Sequence, residues 1–108
     1  MNYPVRITEA ARRDLKEIYD WIAEHDSLSR AEYVLDRITE VVESVAKLPD
    51  RGSKPPELPY GMNAGYRQVF FKPYRMVYQV RQSEVIIYLI ADGRRNLQAV
   101  LLRRLMEG

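Results

Sequence analysis

The sequence predicts an α+β fold: an N-terminal strand, an αα-hairpin, a three-stranded antiparallel meander and a C-terminal helix. Two observations carry this. Apolar residues recur at helical spacing from Ala11 to Leu48 and then alternate from Tyr66 onward. Helical and strand patterns therefore segregate along the chain, which favours helices laid on one face of a mostly antiparallel sheet. Residues 49–62, with four prolines and two glycines, separate the two regimes.

The elements follow in order. Tyr3, Val5 and Ile7 alternate with Pro4 and Arg6, the pattern of a short half-buried strand. Thr8 is placed to cap a helix whose stripe is Ala11, Leu15, Ile18 and Ile22, ending near Glu24. After the polar break 25–28, Ser29 and Glu32 have capping-box spacing and predict the start of a second helix. That helix carries Ala31, Val34, Leu35, Ile38, Val41, Val42, Val45 and Leu48 until Pro49 stops it. Residues 66–71 and 74–81 read as strands around Pro73. Gln82-Ser83 makes a tight hairpin without the favoured Asn-Gly chemistry. Residues 85–91 are almost wholly apolar, as befits a central strand buried on both faces. Asp92-Gly93 ends it, and Asn96 can cap a last helix bearing Leu97, Val100, Leu101 and Leu105.

At 108 residues the chain is expected to form one domain over 1–108, large enough to bury roughly two-thirds of its unfolded surface. It has no cysteine, which excludes disulfides and thiolate metal sites. No apolar run approaches the roughly 20 residues of a membrane span, and the N-terminal stretch is not a secretory signal. A cytoplasmic location and no membrane partner are the expectation. The net charge is +2, but it is unevenly spread. Residues 1–60 have a balance of −3, whereas residues 61–108 reach +5, almost entirely through arginine. A basic half of this kind suits nucleic acid or an acidic protein surface.

Several chemistries can be set aside. His25 is the single histidine and has no paired nucleophile, so a Ser–His–Asp arrangement has no base, and His25 is expected to be exposed. Neither a Walker loop nor a dinucleotide fingerprint occurs. Acids such as Glu40 and Glu43 read as a solvated helix face rather than as ligands, so neither a metal nor a cofactor is expected. Arginine on a sheet remains. Arg67, Arg75 and the Arg94-Arg95 pair could converge on one basic surface near Tyr66, Tyr74 and Tyr78. Alternatively, Arg75 and Arg95 could brace the fold by pairing with helix acids such as Asp14 or Glu17.

Five segments together resemble the RelE/ParE toxins over nearly the whole chain. They are Ala-Ala-Arg-Arg-Asp-Leu-Lys-Glu-Ile at 10–18 with Trp-Ile-Ala at 21–23, Leu-Pro-Asp-Arg-Gly at 48–52, Tyr-Arg-Met-Val-Tyr at 74–78, Asp-Gly-Arg-Arg-Asn-Leu at 92–97, and Arg-Arg-Leu at 103–105. The resemblance implies a cytoplasmic toxin encoded beside a neutralising antitoxin, whose flexible amphipathic segment wraps it. It offers two activities. The RelE branch cuts mRNA in the ribosomal A site with basic residues and often a tyrosine. The ParE branch poisons DNA gyrase and has no nuclease activity.

Matching residues favours the second branch. Under the nuclease alternative Arg67, Arg75 and Arg95 would be catalytic. A further lysine of that branch falls near Val69, however, and its last-helix tyrosine falls at about Leu101. Metal-free RNA cleavage needs a base or orienter for the 2′-hydroxyl as well as cations for the phosphate. Many members also carry histidine where Asp92 stands, and an acid there lowers the local positive charge. The expectation is therefore a gyrase poison without catalysis of its own, binding its target through Arg94, Arg95, Arg103 and Arg104. An inactive, antitoxin-binding remnant is the third alternative.

Overall fold

The computed structural model describes residues 2–58 and 65–107. The elements are β1 (Val5–Ile7), α1 (Glu9–His25), α2 (Leu28–Lys47), β2 (Tyr66–Phe71), β3 (Tyr74–Arg81), β4 (Glu84–Asp92) and α3 (Gln98–Glu107). This is the expected α+β order. The predicted loop over 49–62 lies within the described residues as far as Leu58, and the remainder, with Gly61, lies outside them.

Local chemistry accounts for most boundaries. The Thr8 hydroxyl accepts the Ala11 N–H at 3.1 Å and starts α1. The second cap differs from the expected one. Ser27, not Ser29, has the extended backbone a cap needs, and its hydroxyl accepts the Arg30 N–H at 3.0 Å. The break between the helices therefore shrinks to Asp26-Ser27, and α1 runs on through His25. His25 is exposed and stacks on Trp21, with ring centroids 4.3 Å apart. Gln82 and Ser83 both take positive φ, 52° and 62°, as the tight hairpin requires despite their side chains. The Asn96 side chain accepts the Gln98 N–H at 3.2 Å and opens α3.

The sheet has the order β1-β4-β3-β2. The meander is antiparallel, and β1 lies parallel to β4, with Val5 opposite Val85 and Ile7 opposite Ile87. Between β3 and β4 the register slips at Val77/Tyr78, so that Tyr88 is an extra residue in β4.

One expectation needs correction: the helices do not share a face. Ile22, Ile38 and Val45 of the hairpin pack with Met76, Tyr78, Ile87 and Ile90. Leu97 and Leu101, before and within α3, pack with Val77, Leu89 and Ala91 in a second cluster on the opposite face. The reason is the composition of β4. Residues from Val85 to Ala91 are all buried, and a strand apolar on both sides needs cover on both. No helix among the described residues is long and apolar enough to cross a membrane.

Candidate functional site

The arginines that the sequence singles out divide into two groups. Arg75 lies on β3 opposite Phe70 and Ala91, on the face that α3 covers. It is only 4% exposed. Its guanidinium holds both Glu57 carboxylate oxygens, at 2.7 and 2.6 Å, and donates to Gln68 Oε1 at 2.8 Å. This fork-to-fork geometry is the strongest that arginine makes with a carboxylate. Hydrogen bonding from Arg75 holds the Glu57 carboxyl below its ordinary range, against the opposing effect of partial burial. Arg75 thus ties the loop after α2 to the sheet. It does brace the fold, but through a loop acid and not Asp14 or Glu17.

Arg67 stands directly opposite Tyr78, whose ring belongs to the hairpin-side core. Cross-strand partners share a face, so Arg67 and Arg75 project to opposite sides of the sheet. Arg67 donates to the Gly52 carbonyl at 2.8 Å. The Tyr78 hydroxyl donates to the Pro49 carbonyl at 2.6 Å and accepts the Gly52 N–H at 3.1 Å. Burial raises the Tyr78 hydroxyl above its usual pKa. A Cβ on Gly52 would lie 2.7 Å from both the Gln68 carbonyl and the Tyr78 hydroxyl, which explains glycine in the Leu-Pro-Asp-Arg-Gly step. The expected convergence of Arg67, Arg75 and Arg95 does not occur.

The second group does come together. Arg94, Arg95, Arg103 and Arg104 line one cleft of about 630 Å³ between α1 and α3, with residues 89–92 of β4 at its floor. Arg94, Arg95 and Arg103 are exposed. Arg94 pairs with Asp92 at 2.6 Å, and this bond holds the Asp92 carboxyl below its ordinary range. Arg104 is the exception within this group. It is half-buried and grips Asp14 of α1 through two bonds, of 2.6 and 2.9 Å. Among the described residues Arg95 and Arg103 enter no ion pair, so their charges face solvent.

The α1 wall of this cleft escaped the sequence reading. Asp14, Glu17, Ile18 and Trp21 line it. Their spacing marks one helical face, and Trp21 is 60% exposed. An exposed tryptophan on that face was the available signal. The two positions where a nuclease would carry further groups are both core: Leu101 is fully buried and Val69 is 4% exposed.

Comparison with known proteins places this architecture. Residues 5–97 match the family model for the ParE toxin of the type II toxin–antitoxin system parDE. The chain is 29% identical over 94 residues to Toxin ParE3 of Caulobacter vibrioides, covering 87% of this chain and 90% of that protein. Among solved structures, a chain of the chromosomal ParDE toxin–antitoxin system from P. aeruginosa superposes with a TM-score of 0.70 at 24% identity, over 83% of this chain and 95% of that one. A chain of the RelBE2 toxin–antitoxin complex from Mycobacterium tuberculosis gives 0.62 at 23% identity, over 85% and 99%. An arginine-substituted mutant of E. coli toxin RelE in the free state gives 0.64 at 15% identity, over 99% and 98%. The matched family model spans most of the chain, and the protein belongs to the ParE toxins of type II toxin–antitoxin systems.

Proposed function

We propose that this toxin acts in the cytoplasm as a ParE-like poison of DNA gyrase, without catalysis of its own, and docks through the α1–α3 cleft. The observation that carries the reading is the division of the arginines. Arg75, which a phosphate-cutting site would need free, is buried against Glu57, and Arg67 lies on the other face of the sheet. Leu101 stands in the core where the RelE branch often has a tyrosine. The cations left unpaired for docking among the described residues are Arg95 and Arg103, with the exposed Arg94 paired to Asp92 beside them, around a cleft that also holds the exposed Trp21. Arginine and tryptophan are the residues that most often dominate protein interfaces. Arg104 also lines the cleft, but its guanidinium is engaged by Asp14 and the Tyr88 carbonyl.

The antitoxin has a separate surface in this reading. An apolar groove of about 360 Å³ lies beside β1, lined by Val5, Ile7, Leu15, Ile38 and Val42. A second depression at Leu15, Tyr19 and Leu35 continues it along α1. An amphipathic antitoxin segment folding into this groove would bury apolar surface that the hairpin leaves open.

The deciding experiment is a supercoiling assay with purified gyrase. The expected result is lost supercoiling and accumulated cleaved DNA. Supercoiling that proceeds unhindered, with A-site cuts in translated mRNA by primer extension, would give the protein to the nuclease branch. Undisturbed growth on expression alone would mark an inactive remnant.

A further inference from the structure

Beyond Ile87, β4 has lost its neighbour. The parallel ladder with β1 ends at the Ile7–Ile87 pair, and the Thr8 N–H to the Ile87 carbonyl is its last backbone bond. The extra residue Tyr88 then shifts the strand's phase, so that the Tyr88 carbonyl and the Ile90 N–H face the same open edge. Two side chains occupy them. Asp14 Oδ2 accepts the Ile90 N–H at 3.0 Å, and Arg104 Nη1 donates to the Tyr88 carbonyl at 3.0 Å. The two are also paired with each other. A carboxylate oxygen and a guanidinium N–H thus stand where the C=O and N–H of an adjoining strand would be.

This edge is the floor of the α1–α3 cleft, and the walls carry opposite charge. α1 contributes Asp14 and Glu17, while Arg95 and Arg103 stand on the α3 side. A strand laid along β4 would turn successive side chains to the two faces of the sheet, hence to the two walls. We propose that residues 88–92 are a strand-docking edge for an extended segment of a partner polypeptide with alternating charge, basic toward α1 and acidic toward α3, and that Asp14 and Arg104 are its displaceable stand-ins. Main-chain pairing would supply affinity and the walls would supply register. Single-stranded nucleic acid fits less well. Its phosphates carry one sign only and would meet Asp14 and Glu17, and its backbone offers no ladder to an open strand edge.

The test needs no gyrase, so its failure would leave the gyrase reading untouched, and the converse also holds. The isotope-labelled full chain is titrated with a short blocked peptide of alternating lysine and glutamate. A peptide of the same composition in two charge blocks, and an oligothymidylate, serve as comparisons. The alternating peptide should bind saturably and move the Ile90 and Asp92 amide resonances. The block peptide should bind about tenfold more weakly, as several mismatched cross-strand charge contacts imply. Arg104→Lys keeps the charge but loses the fork on Asp14, so it should tighten binding of the alternating peptide several-fold. Arg103→Glu, at an exposed position, should weaken it. Equal binding of both peptides, oligothymidylate binding in the peptide's place, or an Ile90 amide that stays still in both the natural chain and Arg104→Lys would each overturn the proposal.

Discussion

The two ends of the basic half of this toxin use the same residue type in opposite ways. Within the meander, Arg67 and Arg75 are absorbed into the fold: one secures the corner at Gly52, the other anchors Glu57. After β4 ends, Arg94, Arg95 and Arg103 stay exposed around a cleft. Burial makes the difference. Arg75, buried in the sheet, is held by the Glu57 carboxylate and by Gln68, and its Nε is left without a partner, whereas Arg95 and Arg103, beyond the last strand, are exposed and enter no ion pair among the described residues. Charge alone therefore does not mark an interface, and the proposed docking surface is smaller than a count of arginines implies.

The largest effect that would break this contrast is at Arg75. Arg75→Ala leaves the Glu57 carboxylate without its partner and should cost about 3–5 kcal/mol in urea unfolding; a loss near zero would mean that the pair holds nothing. Tyr78→Phe comes next. It removes the hydroxyl shared by Pro49 and Gly52, and should cost about 1–3 kcal/mol by the same measurement.

A smaller effect concerns pH. Glu57 has a folded pKa below its unfolded value near 4.5. Its contribution to stability is therefore complete above that value and is lost as pH falls through the folded pKa. Glu57→Gln should flatten this part of the acid limb of the stability–pH curve, and an unchanged limb would contradict the assignment. The smallest structural effect belongs to the exposed group. Arg95→Glu with Arg103→Glu should shift stability by no more than about 0.5 kcal/mol. The same double substitution should abolish the proposed inhibition of gyrase, read as restored supercoiling. If the double variant still poisons gyrase, the cleft is not the target-binding surface.

Much of the fold could be read from local chemistry. The apolar stripes of both helices, the proline that follows the second and the alternation from Tyr74 to Arg81 act over a few residues, so their signals are written in the chain. The slip at the second helix cap shows the limit. Ser27 and Ser29 offer the same hydroxyl, and the backbone left by the end of α1 chose between them. The side of the sheet that α3 covers was equally open, although the apolar run at 85–91 already demanded cover on both faces.

For the candidate site, the sequence by itself determined the composition: a basic C-terminal half, with Arg94, Arg95, Arg103 and Arg104 all following the last strand. Only the tertiary structure decided which guanidinium meets which carboxylate. Arg104 finds Asp14 across 90 positions and Arg75 finds Glu57 across 18, in a loop with no period to announce it. Periodicity is a property of neighbours in the chain, whereas ion pairs form between neighbours in space, and it was the packing of α1, α3 and the loop after α2 around the sheet that put these partners within reach.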